Sequence, residues 1–388
     1  MAREFISGPN FSGRSAYLMA ALRERAPGAA FFIGPYAEAA LSGLSSTVAD
    51  EIDIYRARPP AARPAFSAVD FDPYAARKPP TLSGGEQVLL ALHCFSLSRY
   101  RTIGIDTALE QLDPQNRTQA LAYLSQDEAQ GFDVALIDNR PRAEGWPQTA
   151  MVGAPDFVCD LDAATTGLAS RSAPAITIER LSFRYPRGRD IFNGVDLTLE
   201  PGRAYRLTGP NGAGKTTLFK LLAGVLVPSS GAIGLDGAPY APWRSGNRVF
   251  AFATQNPDHQ WCGATLGEDV ARRRTALARH GIAAPDHAAI AALAAHLGAR
   301  SLAVHLYELP LAARKRLSWL WPLSGTLPWA MLDEPTIGQD GTTRAALAAA
   351  VARLCAVGHG VVFITHDEDF ARLIDHGPLR LENGSIAA

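Results

Sequence analysis

The sequence predicts an α/β protein made of two phosphate-loop domains in one chain, the N-terminal one truncated and lacking most of an antiparallel β subdomain. Three observations predict it. Residues 209–217, Gly-Pro-Asn-Gly-Ala-Gly-Lys-Thr-Thr, form a complete phosphate-binding loop between a strand-like and a helix-like segment. Apolar strand-like runs ending in carboxylates or a histidine follow it in order. A second, weaker set of the same features lies within residues 1–162, and 388 residues are too many for one ordinary domain and comfortable for two.

Residues 204–208, Ala-Tyr-Arg-Leu-Thr, read as a short buried strand, and residues 217–223 have helical apolar spacing. Between them Gly209, Gly212 and Gly214 let backbone N–H groups curl around phosphate oxygens. Lys215 supplies a positive point charge, and the Thr216 hydroxyl is suited to magnesium. The apolar run 329–332 ends in Asp333 and Glu334, at the strand edge where ligands sit in open α/β sheets. Asp333 is placed to hold the magnesium shell, and Glu334 to polarise an attacking water. His366 follows the apolar strand 361–364, and Gln255 follows 250–253, where an amide can sense both magnesium and that water.

Together these residues resemble the nucleotide-binding domain of the ABC ATPases over residues 176–388. The resemblance implies ATP as ligand, with Asn211 and Thr217 joining Gly212, Gly214, Lys215 and Thr216 around it. It further implies that Tyr185, in Phe-Arg-Tyr-Pro, stacks on adenine, that Gln255 opens the Q-loop, that residues 338–340 form the D-loop, and that His366 is the switch histidine. Members carry an LSGGQ-like signature, which contributes a serine hydroxyl and glycine amides to the nucleotide of the opposite domain. Counting 24 residues back from Asp333 lands instead on Leu-Pro-Leu-Ala-Ala at 309–313, without the serine or either glycine.

The N-terminal half supplies that missing piece as an internal repeat. Residues 82–86, Leu-Ser-Gly-Gly-Glu, are an intact signature lying 24 residues before Asp106, and Asp113 follows Asp106 by seven residues as Asp340 follows Asp333. Thr-Val-Ala-Asp-Glu at 47–51 echoes Thr-Leu-Gly-Glu-Asp at 265–269. The catalytic positions of this half are eroded. In the loop at residues 8–15, Arg14 replaces the lysine and Phe11 a glycine. Thr107 stands at the glutamate position, Asp138 or Asn139 at the histidine, and Ala37 or a neighbour at the glutamine. The expected domains are therefore 1–162, degenerate, and 176–388, complete, joined by a flexible Ala/Thr/Ser/Gly-rich linker at 163–175.

ABC ATPases act as head-to-tail pairs. By that rule one composite site combines Lys215, Thr216, Gln255, Asp333, Glu334 and His366 with Ser83, Gly84, Gly85 and Glu86. The other combines Arg14, Ser15, Asp106 and Thr107 with residues 309–313, and both of its halves are degraded. Losses confined to one site are expected if the two domains of one chain pair with each other.

Charges nearly cancel, 37 Lys+Arg against 38 Asp+Glu, so no general grip on nucleic acid or anionic lipid is expected. Two basic clusters, 272–274 with Arg279 and 314–316, read as solvated helix faces. Cys94, Cys159, Cys262 and Cys355 lack metal-site spacing and read as buried small residues in a reducing compartment. No apolar run approaches the roughly 20 residues of a membrane span, and the first residues lack a signal-peptide core, so the chain is expected in the cytoplasm. The Q-loop run 255–260, Gln-Asn-Pro-Asp-His-Gln, with residues 265–270 after it, looks like that of energy-coupling-factor and cobalt-type importer ATPases. This implies a place at the inner face of the membrane, under a transmembrane scaffold and a substrate-binding subunit, with a vitamin or metal ion as cargo. The alternative is a soluble ABC ATPase acting on a ribosome, nucleic acid or an enzyme complex, and a third reading is an ATP-gated scaffold without turnover.

Overall fold

The computed structural model describes residues 3–7, 14–56, 64–125, 132–139, 146–150, 159–161, 165, 168, 170, 172–186 and 190–387. Most of the N-terminal phosphate loop, including Phe11, lies outside them, as does much of the expected linker. The chain divides into two compact units, Met1–Asp156 with Ile337–Asp340, and Phe157–Thr336 with Gly341–Ala388. The division falls at 156/157, where the sequence placed the first boundary after residue 162.

In the first unit the strands are β1 (Arg3–Ser7), β2 (Ala30–Ile33), β3 (Thr102–Asp106), β4 (Asp133–Ile137) and β5 (Gln148–Ala150). They form one sheet in the order β2-β3-β4-β1-β5, and every pair is parallel. A parallel sheet needs helices on both faces, which is why its central strands carry apolar residues toward both, as in Val-Ala-Leu-Ile at 134–137. Strand alternation divides the core accordingly. Phe5, Val134 and Leu136 face the cluster under the helix Gly84–Leu97, whereas Ile6, Ala135 and Ile137 face Leu18 and Leu22 of the helix Arg14–Arg25.

The second unit has two sheets. The strands β6 (Ile176–Arg184), β7 (Asp190–Leu199), β9 (Ser230–Leu235) and β10 (Ala238–Tyr240) form an antiparallel sheet ordered β10-β9-β6-β7. The other contains β8 (Ala204–Thr208), β11 (Phe250–Ala253), β12 (Trp329–Asp333), β13 (Gly360–Ile364), β14 (His376–Glu382) and β15 (Ser385–Ala387), ordered β11-β12-β13-β8-β14-β15. Only its last pair is antiparallel. Residues of the expected linker pack on this unit. Ala173 N–H donates to the Gly358 carbonyl and the Trp329 indole donates to the Pro174 carbonyl, while Leu161, expected at the end of the first domain, joins the core of this unit.

Both units use one strand order about the phosphate-loop strand, with β2, β3, β4, β1 and β5 corresponding to β11, β12, β13, β8 and β14. The echo at 47–51 and 265–269 is also structural. Thr47 and Thr265 each cap a helix by accepting from the N–H three residues on, and Glu51 and Asp269 are wholly buried carboxylates accepting backbone N–H groups of Ser42 and Cys262. Two expectations are corrected. Cys262 is exposed rather than buried. The basic cluster 314–316 is no solvated face, because Lys315 and Arg316 are each 1% exposed. No helix among the described residues is long and apolar enough to cross a membrane.

Candidate nucleotide site

In the second unit the phosphate loop leaves β8 and enters the helix Lys215–Leu222, as the strand, loop, helix order requires. Gly212 and Gly214 have φ of +74° and +111°, where a side chain is strained. At Gly214 a Cβ would also lie 2.4 Å from Ile191 Cγ2. Glycine here is therefore a packing requirement as well as a conformational one. Lys215 is nearly buried, and its ammonium donates to the carbonyls of Gly209 (2.7 Å) and Pro210 (3.1 Å), curled over the loop it serves. The Asn211 side-chain nitrogen is shielded from solvent and meets no hydrogen-bond partner among the described residues. A buried donor left unmatched is costly, and a phosphate oxygen would satisfy it.

The carboxylates predicted at the end of β12 converge on this loop. Thr216 donates its hydroxyl hydrogen to Asp333 Oδ2 at 2.7 Å, which couples the loop that follows β8 to the end of β12, two strands away in the sheet. Burial raises the pKa of Asp333, opposed by the Thr216 hydroxyl and by the charges of Lys315 and Lys215. Hydroxyl and carboxylate oxygens are the donors a hard cation prefers. Glu334 is 4% exposed and held at φ +44°, its N–H donating to the Ile364 carbonyl (2.9 Å). His366 faces it, with Nε2 at 3.6 Å from Oε1 and the backbone N–H donating to Oε2 at 3.3 Å. Lys215 and Thr216, Asp333 with Glu334, His366 and Gln255 thus follow the ends of four parallel strands of this sheet, β8, β12, β13 and β11.

Tyr185 is partly exposed at the end of β6, edge-on to Phe183, with its hydroxyl 3.2 Å from Thr217 Oγ1. This aromatic face beside the loop is where the sequence put the adenine platform. The Q-loop is fastened from behind: Gln260 accepts from Thr254 N–H (3.0 Å) and donates to the Ser318 carbonyl (3.1 Å). Asp258 is paired with Arg314, 2.9 Å. Lys315 donates to three main-chain carbonyls, Thr254 and Gln255 at 2.8 Å and Asp333 at 3.0 Å. Burial brings its pKa down to about 7, against the pull of Asp333 and Glu334. Sequence reasoning missed Lys315, Arg314 and Gln260 as parts of the site, because nothing in a run of basic residues announces waiting carbonyls.

The remaining assigned residues, Ser83, Gly84, Gly85 and Glu86, belong to the first unit. They start a 14-residue helix through a capping box, in which Ser83 Oγ accepts from Glu86 N–H and Glu86 Oε2 accepts from the Ser83 N–H (2.7 Å) and hydroxyl (2.8 Å). The counterpart at 309–313 has Pro310 at its N-cap, no side-chain cap, and a helix of 7 residues. Also in the first unit, Ser15 donates to Asp106 Oδ2 at 2.5 Å, the equivalent of the Thr216 and Asp333 pair. Arg14, 8% exposed, donates to Asn139 Oδ1 at 2.8 Å, among the carboxylates of Asp106, Glu110 and Asp138.

A family model described as ABC transporter matches residues 192–337, taking in the phosphate loop, Gln255, Asp333 and Glu334. A protein of Streptomyces coelicolor, provisionally named an ABC transporter ATP-binding protein, is 35% identical over 209 residues, covering 52% of this chain and 72% of its own length. This chain belongs to the ABC transporter ATP-binding proteins. It is an ABC-type ATPase. A Bacillus subtilis relative, provisionally named an HMP/thiamine import ATP-binding protein, is 30% identical over 216 residues, 54% of this chain and 38% of the relative. The chain thus matches well under half of that protein's length. A solved structure described as RNase-L Inhibitor matches 99% of this chain and 85% of its own at a TM-score of 0.59 and 16% identity, a likeness of fold alone.

Proposed function

We propose that this chain is the ATP-hydrolysing subunit of a membrane importer of the energy-coupling-factor type, whose cargo is a vitamin or a metal ion. The observation that carries the ATPase chemistry is the convergence of Thr216 and Asp333 (2.7 Å) with Glu334 and His366 (3.6 Å) at adjoining strand ends. The importer reading is supported by the Q-loop run 255–260 and by the similarity to a relative whose provisional name is that of an HMP/thiamine import ATPase. Partner subunits would be a transmembrane scaffold and a substrate-binding membrane component, and nucleic acid is no partner in this reading.

Glu334, desolvated and aligned by His366, polarises a water in line with the γ-phosphate, while Lys215 and the loop amides neutralise charge on the β- and γ-phosphates. Thr216, Asp333 and Gln255 would hold a magnesium ion, which supplies charge neutralisation at the phosphates. Tyr185 offers its ring to adenine. The signature that completes this site is lent by Ser83, Gly84, Gly85 and Glu86, because residues 309–313 have lost both the serine and the glycines. The site around Arg14 and Asp106 is the degenerate one, and ATP-driven pairing of the two domains within the chain is the power stroke.

The test is purification of the tagged full chain from membranes, with hydrolysis assayed on the product. Recovery with integral membrane subunits and ATP turnover support the reading. An active chain recovered with ribosomes or a soluble enzyme complex would replace it with the soluble-ATPase alternative, and absence of turnover would leave only an ATP-gated scaffold.

A further inference from the structure

The strands β11 and β12 pair only as far as Ala253 with Leu332. Beyond that point their chains carry the residues that matter, Gln255 on one and Asp333 with Glu334 on the other, and the ladder no longer holds them together. Three carbonyls there, those of Thr254, Gln255 and Asp333, turn toward Lys315, whose ammonium has three N–H groups and gives one to each. Burying an ammonium carries a heavy desolvation cost that an apolar residue of the same length would avoid. Lys315 bears it at 1% exposure while Ala313 and Leu317 of the same helix fill the core. The helix Leu311–Leu317 and the residue after it grip the loop twice more, through Arg314 on Asp258 and through the Ser318 carbonyl on Gln260.

We infer that Lys315 is a positioning residue, which fixes the start of the Q-loop against the end of β12 so that Gln255 and Glu334 face the same water. It touches no nucleotide and acts through those two residues. The segment that lost its signature therefore keeps a second task, bracing its own domain's catalytic loop. The inference rests on the ATPase reading above and assigns a new role within that site.

The test uses the full chain carrying Lys315→Met, with Lys315→Gln as a second variant that retains two N–H donors. At a temperature where all proteins are folded by circular dichroism, Lys315→Met is expected to lower kcat by about 10- to 100-fold, with Kd for ATP in EDTA changed less than about threefold, since only positioning is disturbed. Lys315→Gln should recover part of the loss. Amide exchange across residues 254–260 should quicken in both variants, while that of the helix Lys215–Leu222 stays as in the parent. In a Gln255→Ala background the Lys315→Met effect should shrink, because the two act as one unit. A kcat within twofold of the parent, a loss that multiplies fully with that of Gln255→Ala, or unchanged exchange at 254–260 would overturn the inference. A parent chain without turnover would sink the ATPase mechanism instead, and the exchange readout would then decide on Lys315 by itself.

Discussion

Glu334 and Thr107 hold the same left-handed backbone, φ +44° and +55°, each one residue after the aspartate that ends its strand. Each also gives its N–H to the adjoining strand, Glu334 to Ile364 and Thr107 to Ile137. For a β-branched residue this conformation is an outlier. A hydrolytic glutamate has a use for the unusual aim; a threonine has none, so the turn persists in the first unit as a feature of the sheet end rather than of chemistry.

Relieving that turn should therefore stabilise the first unit. Thr107→Gly is expected to raise its unfolding free energy, and with it the urea midpoint, by on the order of 0.5 kcal/mol in free energy after the entropy cost of glycine, with hydrolysis unchanged. A lower midpoint would mean that the Thr107 hydroxyl bond to the Asp106 carbonyl, 2.8 Å, outweighs the strain.

Glu334→Gln preserves shape and removes the acceptor. ATP binding should be retained and turnover should drop by at least about 100-fold, the usual range for losing a positioned base. Single-turnover kinetics with the variant checks this, and near-normal turnover would reject Glu334 as the base.

Ser83 caps its helix and, in the proposed site, meets the γ-phosphate. Ser83→Asn keeps a capping oxygen and removes the hydroxyl, so stability should change by less than about 1 kcal/mol while hydrolysis is lost. Loss of both in proportion would reduce Ser83 to a helix cap.

Arg14 is enclosed by Asn139, Asp106, Glu110 and Asp138. Arg14→Ala removes a buried cation facing those carboxylates, so the first unit should lose about 1–3 kcal/mol of stability while most ATPase activity survives. Complete loss of hydrolysis at a permissive temperature would mean that this site takes part in turnover.

Tyr55, which donates to the Ala40 carbonyl, has its pKa raised to about 12 by burial, with Glu51 adding to the effect. The unfolded chain ionises first, near pH 10, so the tyrosine's contribution is intact below that and is lost as pH rises toward about 12. Stability measured between pH 9 and about 11.5 should decline less steeply in Tyr55→Phe than in the parent.

Much of the candidate site was legible because its chemistry is written in short contiguous runs. A glycine loop, a hydroxyl beside a lysine, and carboxylates at the end of an apolar strand carry their own geometry, and the structure brings Thr216 within bonding reach of Asp333 and His366 within reach of Glu334. The repeat was legible through spacing alone, and Ser15 on Asp106 and Thr107 beside it bear that correspondence. Other residues resisted. Gln260 looked like the tail of a motif, Cys262 like a buried thiol, and 314–316 like a charged surface.

By itself the sequence determined the loop, the order of strand-end functional groups, the repeat and the half that kept each motif, since all of these depend on neighbours or on fixed separations along the chain. Only the tertiary structure decided the fate of Lys315 and Arg316. Their side chains are buried because carbonyls at residues 254, 255, 333 and 297 come to meet them from other parts of the chain. Charge favours solvent by default, and the exception arises where a folded backbone leaves acceptors that only a buried donor can satisfy.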